Sequence, residues 1–105
     1  MMFLETPVFT KLVGQYLSDD EYRKLQEYLV LVPDAGDVIR GSGGLRKIRW
    51  RQKGRGKRGG VRVIYYRMTA LGQILMLYIY PKNVKNDLTP NELKQLKQIV
   101  DKEYV

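Results

Sequence analysis

The stretch LRKIRWRQKGRGKRGGVRVIYYRMTALGQILMLYIY, residues 45–80, decides how this chain folds. Three segments within it, 45–51, 61–68 and 73–80, are rich in β-branched and aromatic residues and are bounded by glycines, which is the composition of strands. Ala70-Leu71-Gly72 leaves room only for a tight turn, so the last two segments are expected as antiparallel neighbours. Residues 53–60, KGRGKRGG, join the first two as a long glycine-rich hairpin tip. A three-stranded antiparallel meander is therefore expected at the centre of the fold.

The flanks supply helices to cover it. Met2 to Glu5 is short and apolar, suited to an edge strand. Thr6-Pro7 then opens a helix, because threonine caps well and proline at the first helical position lacks an N–H that had no partner there. Phe9, Leu12, Val13, Tyr16 and Leu17 recur on one helical face. Ser18-Asp19-Asp20-Glu21 is a capping box for a second helix, with Tyr22, Leu25, Leu29 and Val32 as its buried stripe and Pro33 as its stop. Towards the C-terminus, Thr89 caps, Pro90 takes the first helical position, Glu92 completes a box and Leu88 can staple to Leu93. Leu93, Leu96, Ile99 and Val100 follow as an apolar stripe. The expected order is β-α-α-β-β-β-α: an α+β fold with a small antiparallel sheet, an N-terminal helical hairpin on one face and a C-terminal helix beyond. With 105 residues and no linker or repeat, one domain over 1–105 is expected.

Charge is sharply segregated. From Val38 to Asn86 there is no acidic residue, and thirteen of the nineteen basic side chains lie there. All eleven acidic residues lie outside. A polyanion would be steered to that middle, and phosphate contacts supply most sequence-independent affinity for nucleic acid. Interleaved Tyr65, Tyr66, Tyr78 and Tyr80 favour RNA or DNA over a merely solvated basic surface. A DNA-binding regulator ranks below the RNA readings, since no helix is basic enough for recognition. There is no cysteine, which excludes disulfides and thiolate metal sites, and no histidine, which removes the usual general base and commonest metal ligand. No cofactor is expected. Without a signal-like N-terminus or an apolar run of membrane-spanning length, a cytoplasmic protein with no membrane partner is expected.

Period-two alternation places Lys47, Arg49 and Arg51 on one face of the first meander strand, with Ile48 and Trp50 turned to the helices. Arg62 alternates with Ile64 and Tyr66, and Arg67 falls on the opposite face. One sheet face thus gathers Lys47, Arg49 and Arg62, with Tyr80 or Lys82 beside them. The plainer alternative is exposed strand residues that blunt an edge against aggregation. It suits Arg62 least, because that strand should be central. Gly54 to Gly59 matches G-x-G-x-x-G by letter only: a strand follows it instead of a helix, and no acid occurs until Asp87. A cationic hairpin that tracks a phosphate backbone explains the tip better than a dinucleotide site. A charged tip that serves only solubility remains the alternative.

These residue types permit RNA cleavage. Transesterification needs the 2′-OH deprotonated, the phosphorane charge stabilised and the leaving 5′-oxygen protonated. A lysine crowded by cations has its pKa lowered towards a usable range, arginine stabilises charge as a planar fork, and tyrosine stacks or donates.

The run GSGGLRKIRW, then KGRGKRGGVRVIYY, then LYIYPKN, resembles the HigB-type branch of the RelE superfamily of bacterial toxins. The likeness is close over residues 36–83, and the flanking helices agree in order, so a single RelE-like toxin domain over 1–105 is expected. The resemblance implies a ribosome-dependent endoribonuclease that cuts mRNA in the decoding site and halts translation. It also implies neutralisation by a cognate antitoxin, typically a helix-turn-helix protein encoded beside it. By position, Lys47 and Arg49 match paired basic residues as base or electrostatic groups. Arg62 matches the central-strand arginine as transition-state stabiliser, and Lys82 a phosphate anchor or acid. Tyr80 and Tyr66 are weaker matches. Arg46, Arg51, Lys53, Arg55, Lys57, Arg58 and Tyr66 are the expected RNA-contacting groups. The chain departs from better-known members in lacking an obvious tyrosine counterpart on the C-terminal helix and the Glu and His of other branches. That leaves the base and acid unassigned. The alternative reading is a non-catalytic RNA- or ribosome-binding basic protein.

Overall fold

Strand β1 (Met2–Glu5) leads into helices α1 (Pro7–Tyr16) and α2 (Asp19–Leu31), which are followed by β2 (Asp37–Val38), β3 (Arg46–Trp50), β4 (Val61–Met68), β5 (Gln73–Pro81) and α3 (Pro90–Ile99). The computed structural model describes residues 1–51, 60–68, 72–85 and 87–104. The helix starts follow the caps read in the sequence. The Thr6 hydroxyl accepts from the Phe9 N–H at 3.1 Å and donates to the Leu77 carbonyl at 2.9 Å, so one side chain caps α1 and ties it to β5. Both capping boxes form, Ser18 with Glu21 and Thr89 with Glu92. Such caps are worth about 1 kcal/mol each. Helix α2 ends at Leu31 with Val32 as its C-cap, and Val32 is exposed where a buried position was expected, whereas Leu25 and Leu29 are fully buried.

The five strands lie in the order β1-β5-β4-β3-β2. The meander β3-β4-β5 is antiparallel as expected. Two features lay beyond the sequence pattern. The two-residue strand β2 pairs antiparallel with β3, and β1, at the opposite edge, runs parallel to β5. Beyond α3 the chain continues as a π-helical turn, Val100–Tyr104.

Each sheet face has its own core. Under α1 and α2, Phe9, Leu25 and Leu29 meet Ile48, Val63 and Tyr65. On the far face, Leu96 and Val100 of the C-terminal segment meet Ile64, Leu75 and Leu77. The far face is therefore partly roofed, not open throughout. A bulge between β4 and β5 shapes it: Ile64 pairs with Tyr78 but Tyr65 pairs with Met76, leaving Leu77 as an extra residue. Leu75 and Leu77 thereby share a face with Tyr78 and Tyr80, which strict alternation forbids. Among the described residues no helix is long and apolar enough to cross a membrane.

Candidate active site

Three of the singled-out residues stand in one cross-strand row. Arg49 of β3 faces Arg62 of β4, and Arg62 faces Tyr80 of β5. Like charges directly opposite each other in a sheet are destabilising, so the Arg49/Arg62 pairing opposes stability. Arg62 is only 2 % exposed and Tyr80 4 %, whereas Arg49 reaches solvent. Lys47 lies one same-face step along β3, opposite Ile64.

An acid completes the group. The chain after β5 brings Asp87 to Lys47, whose Nζ donates a hydrogen bond to the Asp87 carboxylate. That bond, then the Lys47 charge and more weakly those of Arg62 and Arg49, holds Asp87 below its ordinary range. The Tyr80 phenol is pushed up to about 12, mainly by burial and then by Asp87, with Arg62 pulling the other way. At neutral pH the site thus presents an ionised carboxylate, a protonated phenol and three cations. Sequence reading missed Asp87. Its one signal was being the first acid after the acid-free stretch, but the ion pair spans forty positions and needs the fold to form.

The remaining residues are placed elsewhere or apart. Lys82 is exposed in the turn after β5, and among the described residues no hydrogen bond or ion pair ties its ammonium to the row. Arg51 is exposed just past β3. Arg46 points to the helical-hairpin face, where its guanidinium donates to the Gly36 carbonyl at 2.7 Å and lies 3.5 Å from Asp34. Arg67 joins it, donating to Asp34 at 2.6 Å. The two arginines pin the loop after α2. Tyr66 shares the face of Arg62 but lies roughly 13 Å along the strand, at about 3.3 Å per residue. Its ring sits under the Lys97 ammonium, 5.4 Å from the centroid. Lys53, Arg55, Lys57 and Arg58 lie outside the described residues.

The family model described as the RelE toxin of the RelE/RelB toxin–antitoxin system matches residues 35–104, which include every strand of the meander and α3. This chain belongs to the RelE toxin family. It is a toxin of the toxin–antitoxin kind. Among solved structures, a double arginine-to-alanine mutant of E. coli toxin RelE in the free state superposes with a TM-score of 0.57 at 14% identity, covering 92% of this chain and 93% of that one. At that identity the likeness speaks for the RelE fold alone. The row formed by Arg49, Arg62 and Tyr80 lies on β3, β4 and β5, inside the matched segment.

Proposed function

We propose that this RelE-family toxin, of the HigB-type branch, is an endoribonuclease that cuts mRNA in the ribosomal decoding site. The observation that carries the reading is the row Arg49–Arg62–Tyr80 with Asp87 set on Lys47 beside it. It contains the three parts that transesterification needs. Asp87 takes the 2′-OH proton as the 2′-oxygen attacks phosphorus. Arg62, buried and therefore fixed, stabilises the charge gathering on the phosphorane, with Arg49 and Lys47 beside it. Tyr80, still protonated at neutral pH, gives its proton to the departing 5′-oxygen. The products are a 2′,3′-cyclic phosphate and a free 5′-hydroxyl, and no metal takes part. Lys82 and the tip cations Lys53, Arg55, Lys57 and Arg58 hold flanking phosphates of mRNA or ribosomal RNA. A helix-turn-helix antitoxin encoded beside the toxin neutralises it in the cytoplasm.

Induction of the protein alone tests this reading. Bacterial growth should stop, and translated messages should acquire new 5′ ends within codons. Growth arrest with intact messages would instead mark a non-catalytic ribosome-binding protein.

A further inference from the structure

A cleft of about 190 Å³ opens between β5 and α3, lined by Tyr78, Leu88, Glu92, Gln95, Leu96 and Ile99. The catalytic row does not use it. We infer that this cleft receives one unstacked base of the RNA substrate, next to the phosphate that is cut. The inference rests on the endonuclease reading for what lies next door.

The cleft lies beside the row. Leu88 in the cleft directly follows Asp87, which holds Lys47. Tyr78 in the cleft is 5.9 Å, ring centre to ring centre, from Tyr80, which faces Arg62. A nucleotide whose phosphate meets Arg62 therefore needs no more than one step of chain to reach the cleft.

The walls are one aromatic ring and three aliphatic side chains, the surface on which unstacked bases are commonly held. Among the described residues no cation lines the cleft, and its one charged group is Glu92, already neutralised by Lys85, so a phosphate is disfavoured where a neutral planar group fits. Both Glu92 oxygens are already committed, one to the Thr89 N–H at 2.8 Å and the other to Lys85 at 2.7 Å. That leaves the exposed Gln95 amide, able to donate and accept, to read the edge of a base. The volume is too small for a protein helix and ample for a single ring system.

Two measurements on the full chain test the inference. In the first, ribosomes carrying mRNAs with each of the four bases on either side of the cut are treated with wild type, Gln95→Ala and Gln95→Trp. Gln95→Trp, which blocks the mouth, should slow cleavage about tenfold, and Gln95→Ala should flatten the base preference at one position only. Wild-type rates and an unaltered base profile in both variants would overturn the inference and leave the endonuclease reading standing. In the second, the methyl resonances of Leu88, Leu96 and Ile99 are followed during titration with the four 3′-nucleoside monophosphates and with inorganic phosphate. Saturable shifts with at least one nucleotide and none with phosphate are expected. Shifts that phosphate reproduces, or that track protein concentration alone, would mark an anion site or a self-association surface and refute base binding. Should wild type cut no message at all, the endonuclease reading falls while this titration still decides the cleft.

Discussion

Arg62 and Tyr80 face each other across β4 and β5, and both are almost fully buried. Burying a guanidinium is costly unless charge or hydrogen bonding compensates. Here an ionised Asp87 and the Tyr80 phenol both feel the Arg62 charge. A side chain buried in this way has little freedom left to lose on substrate binding, as the transition-state role proposed for it requires.

Arg62→Ala should therefore reduce cleavage at least about a hundredfold, the scale seen when a positioned donor is removed. Arg67→Ala should be milder, because Arg67 lies on the opposite face and serves Asp34. Single-turnover rates of the two variants, with circular dichroism as a folding control, give the comparison. A greater loss in Arg67→Ala would place the chemistry on the helical-hairpin face.

The pH profile tells the proton-transfer groups apart. Asp87 is lowered by its hydrogen bond from Lys47, so the pair is complete above the ordinary aspartate range and is lost only as pH falls through the lowered value. Tyr80, pushed up to about 12, keeps its proton far above neutrality. The rate of the cleavage step should thus be flat from about pH 6 to about pH 9, with no imidazole-like limb. Tyr80→Phe and Asp87→Asn should each lower that plateau without tilting it. A limb near neutrality that vanishes in Lys47→Ala would make Lys47 the base.

Stability hangs on a different tyrosine. Fully buried Tyr65 donates to the Pro33 carbonyl at 2.8 Å and accepts from the Gly36 N–H at 2.9 Å, closing the loop after α2 onto β4. Tyr65→Phe strands both backbone groups and should cost roughly 1–3 kcal/mol. Urea unfolding measures it, and a midpoint unchanged from wild type would show that the loop does not depend on this bridge. Burial also raises the Tyr65 pKa. Its protonated form therefore stabilises the fold fully below the ordinary tyrosine pKa, and that contribution is lost as pH rises through the higher folded value.

Local chemistry made much of this legible in the sequence. The caps at Thr6, Ser18 and Thr89 and the alternation around Arg62 depend on neighbours a few positions apart, and they carried through to the fold. What stayed hidden was non-local. A two-residue strand such as Asp37–Val38 has no period to detect, and the parallel pairing of β1 joins residues some seventy positions apart, Met2 with Gln73. The same limit hid Asp87 behind its distance from Lys47 and hid the cover that Lys97 gives Tyr66. Arg46 was expected among the RNA contacts, yet its guanidinium binds the Gly36 carbonyl on the hairpin face.

Analysis of product ends tests the central claim most directly. Purified toxin is added to ribosomes stalled on a defined mRNA, and the ends of the fragments are identified chemically. The account predicts one cut per exposed codon, leaving a 2′,3′-cyclic phosphate upstream and a 5′-hydroxyl downstream, with Arg62→Ala still bound to the ribosome but leaving the message whole. Fragments bearing 5′-phosphates, or an intact message under saturating wild-type toxin, would contradict it.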